Sequence, residues 1–481
     1  MKKKILSMLL SMVLTVACFT GCGSNPSSGG ETGGAASTET PKNPEDMYTV
    51  TMAVIGNDQE DMDLVEAEMN KILAEKVGAQ IDVITLGWGV YQQQLQLMLS
   101  GAEKLDLVPI MYNNVSTYVN SGQVLDMSDL IDQYGVNMKA ALGEDILKIA
   151  NMNGYVYGVP VEKEWYADSC LVMRKDILDK YNLDVSNVKS LADCAPIFET
   201  IHENEPDMKI IVGAKDSLIG NVYFADVLSD RFGVLDNGGA DTTIVNYYET
   251  DNYKNLAATV HDYYEKGYID KDMATSTDAG TTTLKAGNAF CFATPYKPGV
   301  AEQESLNTGY ELVAVRINPT PAFCYTNAVA AITWGIGQNC ENPEMTMKVL
   351  DYMYGDPELM NLFNWGIEGV HYVIKDAEND VIGFPDGVDA SNAKYNLNMG
   401  WELPNQYKIH VWEGSSRKIM DAQKEMNATA NKSKALGFMF DSTSVSNEIA
   451  ALNNVVSEYS SSIDWPFRSL MRSYTQPVFR L

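Results

Sequence analysis

The chain has 481 residues and carries 35 Lys and Arg against 64 Asp and Glu, a net charge of −29. So acidic a surface repels phosphate backbones and anionic headgroups, which excludes nucleic acid and electrostatic adhesion to a lipid surface as modes of action. The length is ample for two domains with separate cores.

The first segment is an address. Lys2, Lys3 and Lys4 precede an apolar run from Ile5 to Ala17 that is too short to cross a bilayer, the pattern of a secretory signal peptide. Next comes "ACFTGCGSNPSSGG", with Cys18 and Cys22 four residues apart. Two such cysteines can hold a metal, form a strained bridge or offer one sulfur for lipid attachment. Thr20 and Gly21 before Cys22 resemble a bacterial lipobox, although Phe19 stands where an aliphatic residue is usual. Cys22 is therefore the expected lipidation site, Cys18 a weaker second candidate, and plain cleavage and release the bland alternative. From Gly23 to about Asp46 there is no aromatic or branched aliphatic residue, so this stretch cannot bury a core and reads as a flexible tether. Losing residues 1–21 removes three lysines and no acid, leaving 32 basic against 64 acidic residues and a charge of −32, so any membrane attachment must be covalent and not electrostatic.

From Tyr48 the elements alternate by type. "YTVTMAVIG" reads as a strand, and "DMDLVEAEMNKILAEKVG" as a helix with Val65, Met69, Ile72, Leu73 and Val77 on one face and Gly78 as its stop. "QIDVITL", "VYQQQLQLMLSG" and "LDLVPIM" continue as strand, helix and strand. This order predicts right-handed crossovers and a parallel sheet flanked by helices. Ligands of such sheets sit beyond the carboxyl ends of the strands, where Asn57, Trp88, Tyr91, Tyr112 and Asn113 fall. Amides and aromatic rings there favour a neutral polar ligand. The cluster "NDQEDMD" lacks the ligand spacing and central Gly of a calcium loop, and reads better as carboxylates at the positive end of a helix.

A second unit follows "NGYVYGVP", which marks a crossing beside Glu162, Lys163 and Trp165. "DSCLVMRKDILDKYNL" and "SLADCAPIFETIHENEPDMKIIVGA" repeat the strand and helix theme, "YYETDNYKNLAATVHDYYEKGYID" is a long amphipathic helix, and "AGNAFCFATPYKPG" is a strand arriving at Tyr296. "NAVAAITWGIG" is a second crossing, with Trp334 in it and Trp365 beyond. A chain that leaves one lobe, builds another and returns makes two lobes facing across a hinge. Trp88, Tyr91 and Tyr296 are the expected aromatic walls of the cleft, with Asn57, Asn113, Glu162 and Lys163 as polar partners and Trp165, Trp334 and Trp365 in reserve. The five cysteines after Cys22 are odd in number and too widely spaced for zinc, and the four histidines are dispersed, so neither metal nor disulfide framework is expected. In "NWGIEGVHY", Gly366 and Gly369 predict a turn in which Glu368 and His371 are structural.

Taken together, the lipobox, the tether, "GWGVYQQQLQLMLSGAEKLDLV", "NGYVYGVPVEK", "RKDIL", "FATPYKPG" and "NWGIEGVHYVI" resemble the extracellular solute-binding proteins of carbohydrate ABC importers, related to maltose-binding protein, and within them the LipO-like lipoproteins. "LGFMFDSTSVSNEIAALNNVVSEY" is similar to the start of that branch's C-terminal domain, although the ending "WPFRSLMRSYTQPVFRL" departs from it and reads as a truncation, an altered frame or a functional tail. The resemblance implies an α/β, two-lobed periplasmic-binding-protein-like fold, with residues 47–160 and 329–372 in lobe I, 161–328 and 373–481 in lobe II, and a third crossing at an undetermined place. It further implies a monomeric, non-enzymatic sugar receptor without cofactor, anchored on the extracellular face of the cell membrane and delivering its ligand to permease subunits. A lipid-anchored glycoside hydrolase, which needs only two carboxylates across a cleft, and a ligand-presenting subunit of a membrane sensor are the competing readings.

Overall fold

The computed structural model describes residues 46–87, 90–101, 103–214, 217–222, 225–228, 231–276, 278–317, 322–389 and 392–463. The signal and tether with Cys22, residue Trp88, the side chain of Asn113 and the ending 465–481 lie outside them. The chain starts with β1 (Tyr48–Ile55), α1 (Met62–Lys76), β2 (Ala79–Leu86), α2 (Tyr91–Ser100), β3 (Leu107–Met111) and β4 (Val159–Pro160). It proceeds through β5 (Tyr166–Ala167), β6 (Ser169–Arg174), α3 (Ala195–Asn204), β7 (Lys209–Ile211), α4 (Asp251–Glu265), β8 (Ala289–Pro295) and β9 (Leu312–Arg316). Then come β10 (Phe323–Cys324), β11 (Ile332–Ile336), α5 (Pro343–Gly355), α6 (Pro357–Trp365), α7 (Arg417–Thr429), β12 (Asn431–Lys432) and α8 (Ser446–Ile463).

Lobe I is built on a sheet of order β2-β1-β3-β11-β4. Its first three strands are parallel, Tyr48 to Ile55 pairing in step with Ala79 to Leu86, because each is followed by a helical crossover. The expected all-parallel sheet is corrected at its other half, where β11 returns antiparallel to β3 and β4 antiparallel to β11. Helix α1 buries Val65, Met69 and Leu73 against this sheet, at about 1.5–3 kcal/mol per side chain. It stops where Gly78 takes a φ of 77° that a side chain would resist.

Lobe II has a sheet of order β9-β6-β8-β7 and its own core, in which Phe198, Tyr263, Phe290 and Cys291 are buried. Cys170, Cys194, Cys291 and Cys324 are buried free thiols, and burial pushes each of their pKa values up. A third sheet of three two-residue strands, β12-β10-β5, joins the lobes. It identifies the third crossing as the segment Asn431–Lys432.

Residues 373–412, expected with lobe II, pack in lobe I instead. Ile382, Tyr395, Leu397, Leu403 and Ile409 belong to the same buried cluster as Val50 and Met52. Hydrogen bonds hold the return: the amide of Ile55 donates to Glu402 Oε1 (2.8 Å), and that of Asp61 to the carbonyl of Lys394 (3.2 Å). Beyond the hinge the chain touches both lobes, the amide of Phe440 donating to Leu228 in lobe II and the Asn120 amide to Thr443 Oγ1 from lobe I.

Candidate functional site

A compartment of about 450 Å³ lies between the lobes. Lobe II contributes Lys297, Gln303 and Asn307 from the end of β8 and the helix Val300–Thr308 that follows it, while lobe I contributes Trp365, Trp401 and Trp412. Helix α6 ends at Trp365 because Gly366 turns the chain at φ 85°. The Trp365 indole donates to the carbonyl of His410 (3.1 Å), and its ring lies 5.0 Å from that of Trp412. Phe384 meets Trp412 at 4.7 Å with the rings 71° apart. Three aromatic side chains are thus locked in a row by mutual contact, each such pair contributing roughly 0.5–1.5 kcal/mol.

The polar groups around this row are mostly fixed by one another. Asp380 accepts from Arg417 with one oxygen and pairs with His410 Nδ1 through the other, which sets the imidazole at the wall. Glu164 accepts from Gln406 (2.7 Å) and Lys297 (3.5 Å). Burial opposes its ionisation, but Lys297 and Lys163 outweigh that and hold its pKa at about 2. Helix α7 lies beside this cleft: Gln423 donates to the carbonyl of Pro298, Asn427 to that of Lys163, and Lys424 pairs with Glu162 at 3.3 Å. Such a site offers rings, amides and neutralised charges, suited to a neutral polyhydroxylated molecule. Among the described residues no group of three His, Cys, Asp or Glu could hold a metal ion.

Of the described residues proposed from sequence, Trp365 lines this compartment, but at 4 % exposed it is a buried brace behind Trp412 and not an open ring face. Trp334 does not: it is 0 % exposed and its indole donates to the Glu402 carbonyl (2.8 Å), so it is a core residue and is withdrawn as a ligand contact. Trp165 is likewise buried, with its indole on the carbonyl of Val161 (2.9 Å). Tyr91 opens α2 and packs on the Leu95 and Leu99 cluster, taking a hydrogen bond from Gln92. Tyr296 lies under the Arg316 guanidinium, 4.8 Å from its ring, next in sequence to the cleft residue Lys297. Glu162 is buried, and desolvation raises its pKa although Lys424 opposes this. Lys163 donates to the Glu164 carbonyl, and its burial lowers its pKa. Asn57 is exposed just past β1. Tyr112 follows β3, and its buried hydroxyl has no hydrogen-bond partner. Glu368 and His371 sit in the expected turn: Gly366 and Gly369 have positive φ, and His371 accepts from the Ile367 amide (2.9 Å) while its other nitrogen faces Asp61 (3.2 Å). The residues that sequence reasoning missed, Trp401, Gln406, His410 and Trp412, occupy one aperiodic stretch, "NMGWELPNQYKIHVWEG". Its mixture of aromatic rings and amides between glycines was the available signal.

Comparison with known proteins bears on this arrangement. Residues 56–359, more than half of the chain, match the family model of the bacterial extracellular solute-binding protein, and residues 434–465 match a domain of unknown function, DUF3502. A carbohydrate ABC transporter substrate-binding protein of Streptococcus pneumoniae serotype 4 is 28 % identical over 422 residues, 87 % of this chain and 84 % of its own. The crystal structure of an N-glycan transport solute-binding protein (NgtS) from the same species is 26 % identical with a TM-score of 0.77, covering 87 % of this chain and 90 % of that one. Its complex with Man1GlcNAc gives a TM-score of 0.68 at the same identity, over 86 % and 91 % of the two chains.

Proposed function

The chain belongs to the bacterial extracellular solute-binding proteins, and from that premise we propose that it is the sugar-capturing subunit of an ABC importer, of the LipO-like branch, tethered by a lipid on Cys22 to the outer face of the cell membrane. One observation carries the ligand assignment: the rings of Trp401 and Trp412, the latter braced from behind by the buried Trp365, stand beside amides from both lobes in a cleft beside a three-stranded hinge. Aromatic faces suit the C–H faces of a pyranose, and Gln303, Asn307, Asn398 and Gln423 suit its hydroxyls. A ligand held from both sides binds the closed form better than the open one, the differential affinity that drives closure and presentation to a permease. The relatives named for carbohydrate and N-glycan transport favour the same ligand class, and the C-terminal match favours the branch.

A thermal-shift screen against neutral mono- and oligosaccharides, peptides and small organic acids tests the assignment. A true ligand at a hundredfold excess over its Kd adds about 2.7 kcal/mol of stability and raises Tm accordingly. A shift with a peptide or an acid, and with no sugar, would overturn it. Hydrolysis of an oligosaccharide by the purified protein would replace it with the enzyme reading.

A further inference from the structure

A second compartment, of about 540 Å³, lies on lobe I and shares Asn398 and Trp412 with the first. Its remaining walls come from two loops, one carrying Asp58, Gln59 and Glu60 and the other Phe384, with Lys394 and Asn396 on a third segment. These walls are held in place. Gln59 Oε1 accepts from the Asn396 amide (2.8 Å), Lys394 pairs with Glu60 (2.9 Å), and the Asp61 amide donates to the carbonyl of Lys394. Trp365 faces the first compartment, Phe384 the second, and Trp412 both. Trp412 and Phe384, with centroids 4.7 Å apart, form a continuous aromatic track from one compartment into the other, and the buried Trp365, 5.0 Å from Trp412, braces it from the core.

Two connected compartments with an aromatic track through their junction fit a chain, not a single ring. We propose that the ligand is a neutral oligosaccharide that continues from the inter-lobe compartment over Trp412 into the second compartment, so that affinity grows with chain length until Phe384 and Asn396 are covered. This rests on the reading of the cleft as a sugar site. Neutrality follows from the lining: Asp58 adds a carboxylate that Lys394, already paired with Glu60, leaves uncompensated, which disfavours uronate, sialyl or sulfated termini. The growth in affinity follows from adding ring and amide contacts on a surface already ordered before binding.

Isothermal titration of the full chain with neutral oligosaccharides of one to six hexose or N-acetylhexosamine units measures this directly. The expected result is a Kd at least tenfold lower for tetrasaccharides than for disaccharides of the same series, with no gain from a uronate-terminated analogue. Phe384→Ala and, separately, Asn396→Ala should bring that ratio towards one, while Trp412→Ala weakens short and long sugars together. A Kd independent of length, or a ratio that survives both the Phe384 and Asn396 substitutions, overturns the extended site and leaves the sugar reading standing. Binding of no sugar of any length overturns both.

Discussion

Glu402 gives the fold a pH dependence that can be worked out in advance. The residue is 0 % exposed; Oε1 accepts from the Ile55 amide (2.8 Å), while Oε2 is buried with no hydrogen-bond partner. Burial pushes its pKa up from 4.5 to about 8, the single bond from Ile55 offsetting only part of the desolvation. Between those two values the folded chain keeps a proton that the unfolded chain has lost. Stability is therefore highest at and below pH 4.5 as far as this group is concerned, and falls as pH rises, by about 1.4 kcal/mol per pH unit and roughly 5 kcal/mol across the window. Above pH 8 the contribution is flat. Glu402→Gln keeps an oxygen for the Ile55 amide and cannot ionise. Urea unfolding of both proteins at half-unit steps from pH 5 to 9 should show the downward slope in the parent and its loss in the variant, which overtakes the parent as pH rises. If both proteins follow the same curve, Glu402 is ionised or solvated in the folded state and the reasoning fails.

Further substitutions separate packing from binding and from anchoring. Trp334→Ala should cost about 3–5 kcal/mol by urea unfolding, since a fully buried ring leaves a cavity; Trp412→Ala should cost only about 1–2 kcal/mol of lost ring contacts while weakening sugar binding at least tenfold. Asp351 accepts from the amides of Asn137 (3.2 Å) and Met138 (2.9 Å) and from the Asn137 side chain (2.9 Å), so Asp351→Ala should lose about 2–3 kcal/mol by leaving these donors without an acceptor. Cys22→Ala should release the protein into the medium or leave it unprocessed, read by fractionation and immunoblot, whereas that outcome for Cys18→Ala alone would move the lipid to the other sulfur.

Where structure is made by local pattern, the sequence was readable. The periodic positions Val65, Met69 and Leu73 are the buried face of α1, and the strands ending at Ile55, Leu86 and Met111 lie where alternation and turn residues put them. What pattern did not reveal depends on distant partners. β11 joins β3 antiparallel from more than two hundred residues away, and nothing local in "ITWGI" distinguishes that pairing from another. Trp334 and Trp412 illustrate the same limit for the site. Both are tryptophans in short strands, yet one is sealed by β3, β4 and Glu402 while the other stands at a cleft edge between Trp365 and Phe384. Ring chemistry indicated the kind of site; tertiary contacts decided which rings form it.

The hinge shows why the third crossing, left undetermined by the sequence, matters to the proposed function. β5 and β10 pair antiparallel through Ala167 and Tyr166, and β12 adds parallel to β10 through Asn431 and Lys432. Each strand is two residues long, so each crossing can absorb a rotation in a few backbone dihedrals without breaking a long ladder. Two crossings alone would leave the lobes free to twist as well as to close. The third, delivered by α7, ties down that freedom, because α7 is itself bonded to Pro298 on lobe II and to Lys163 beside the hinge. On the proposed function, a ligand that touches Lys297, Gln303 and Asn307 on one wall and the tryptophan row on the other would bias closure of the cleft.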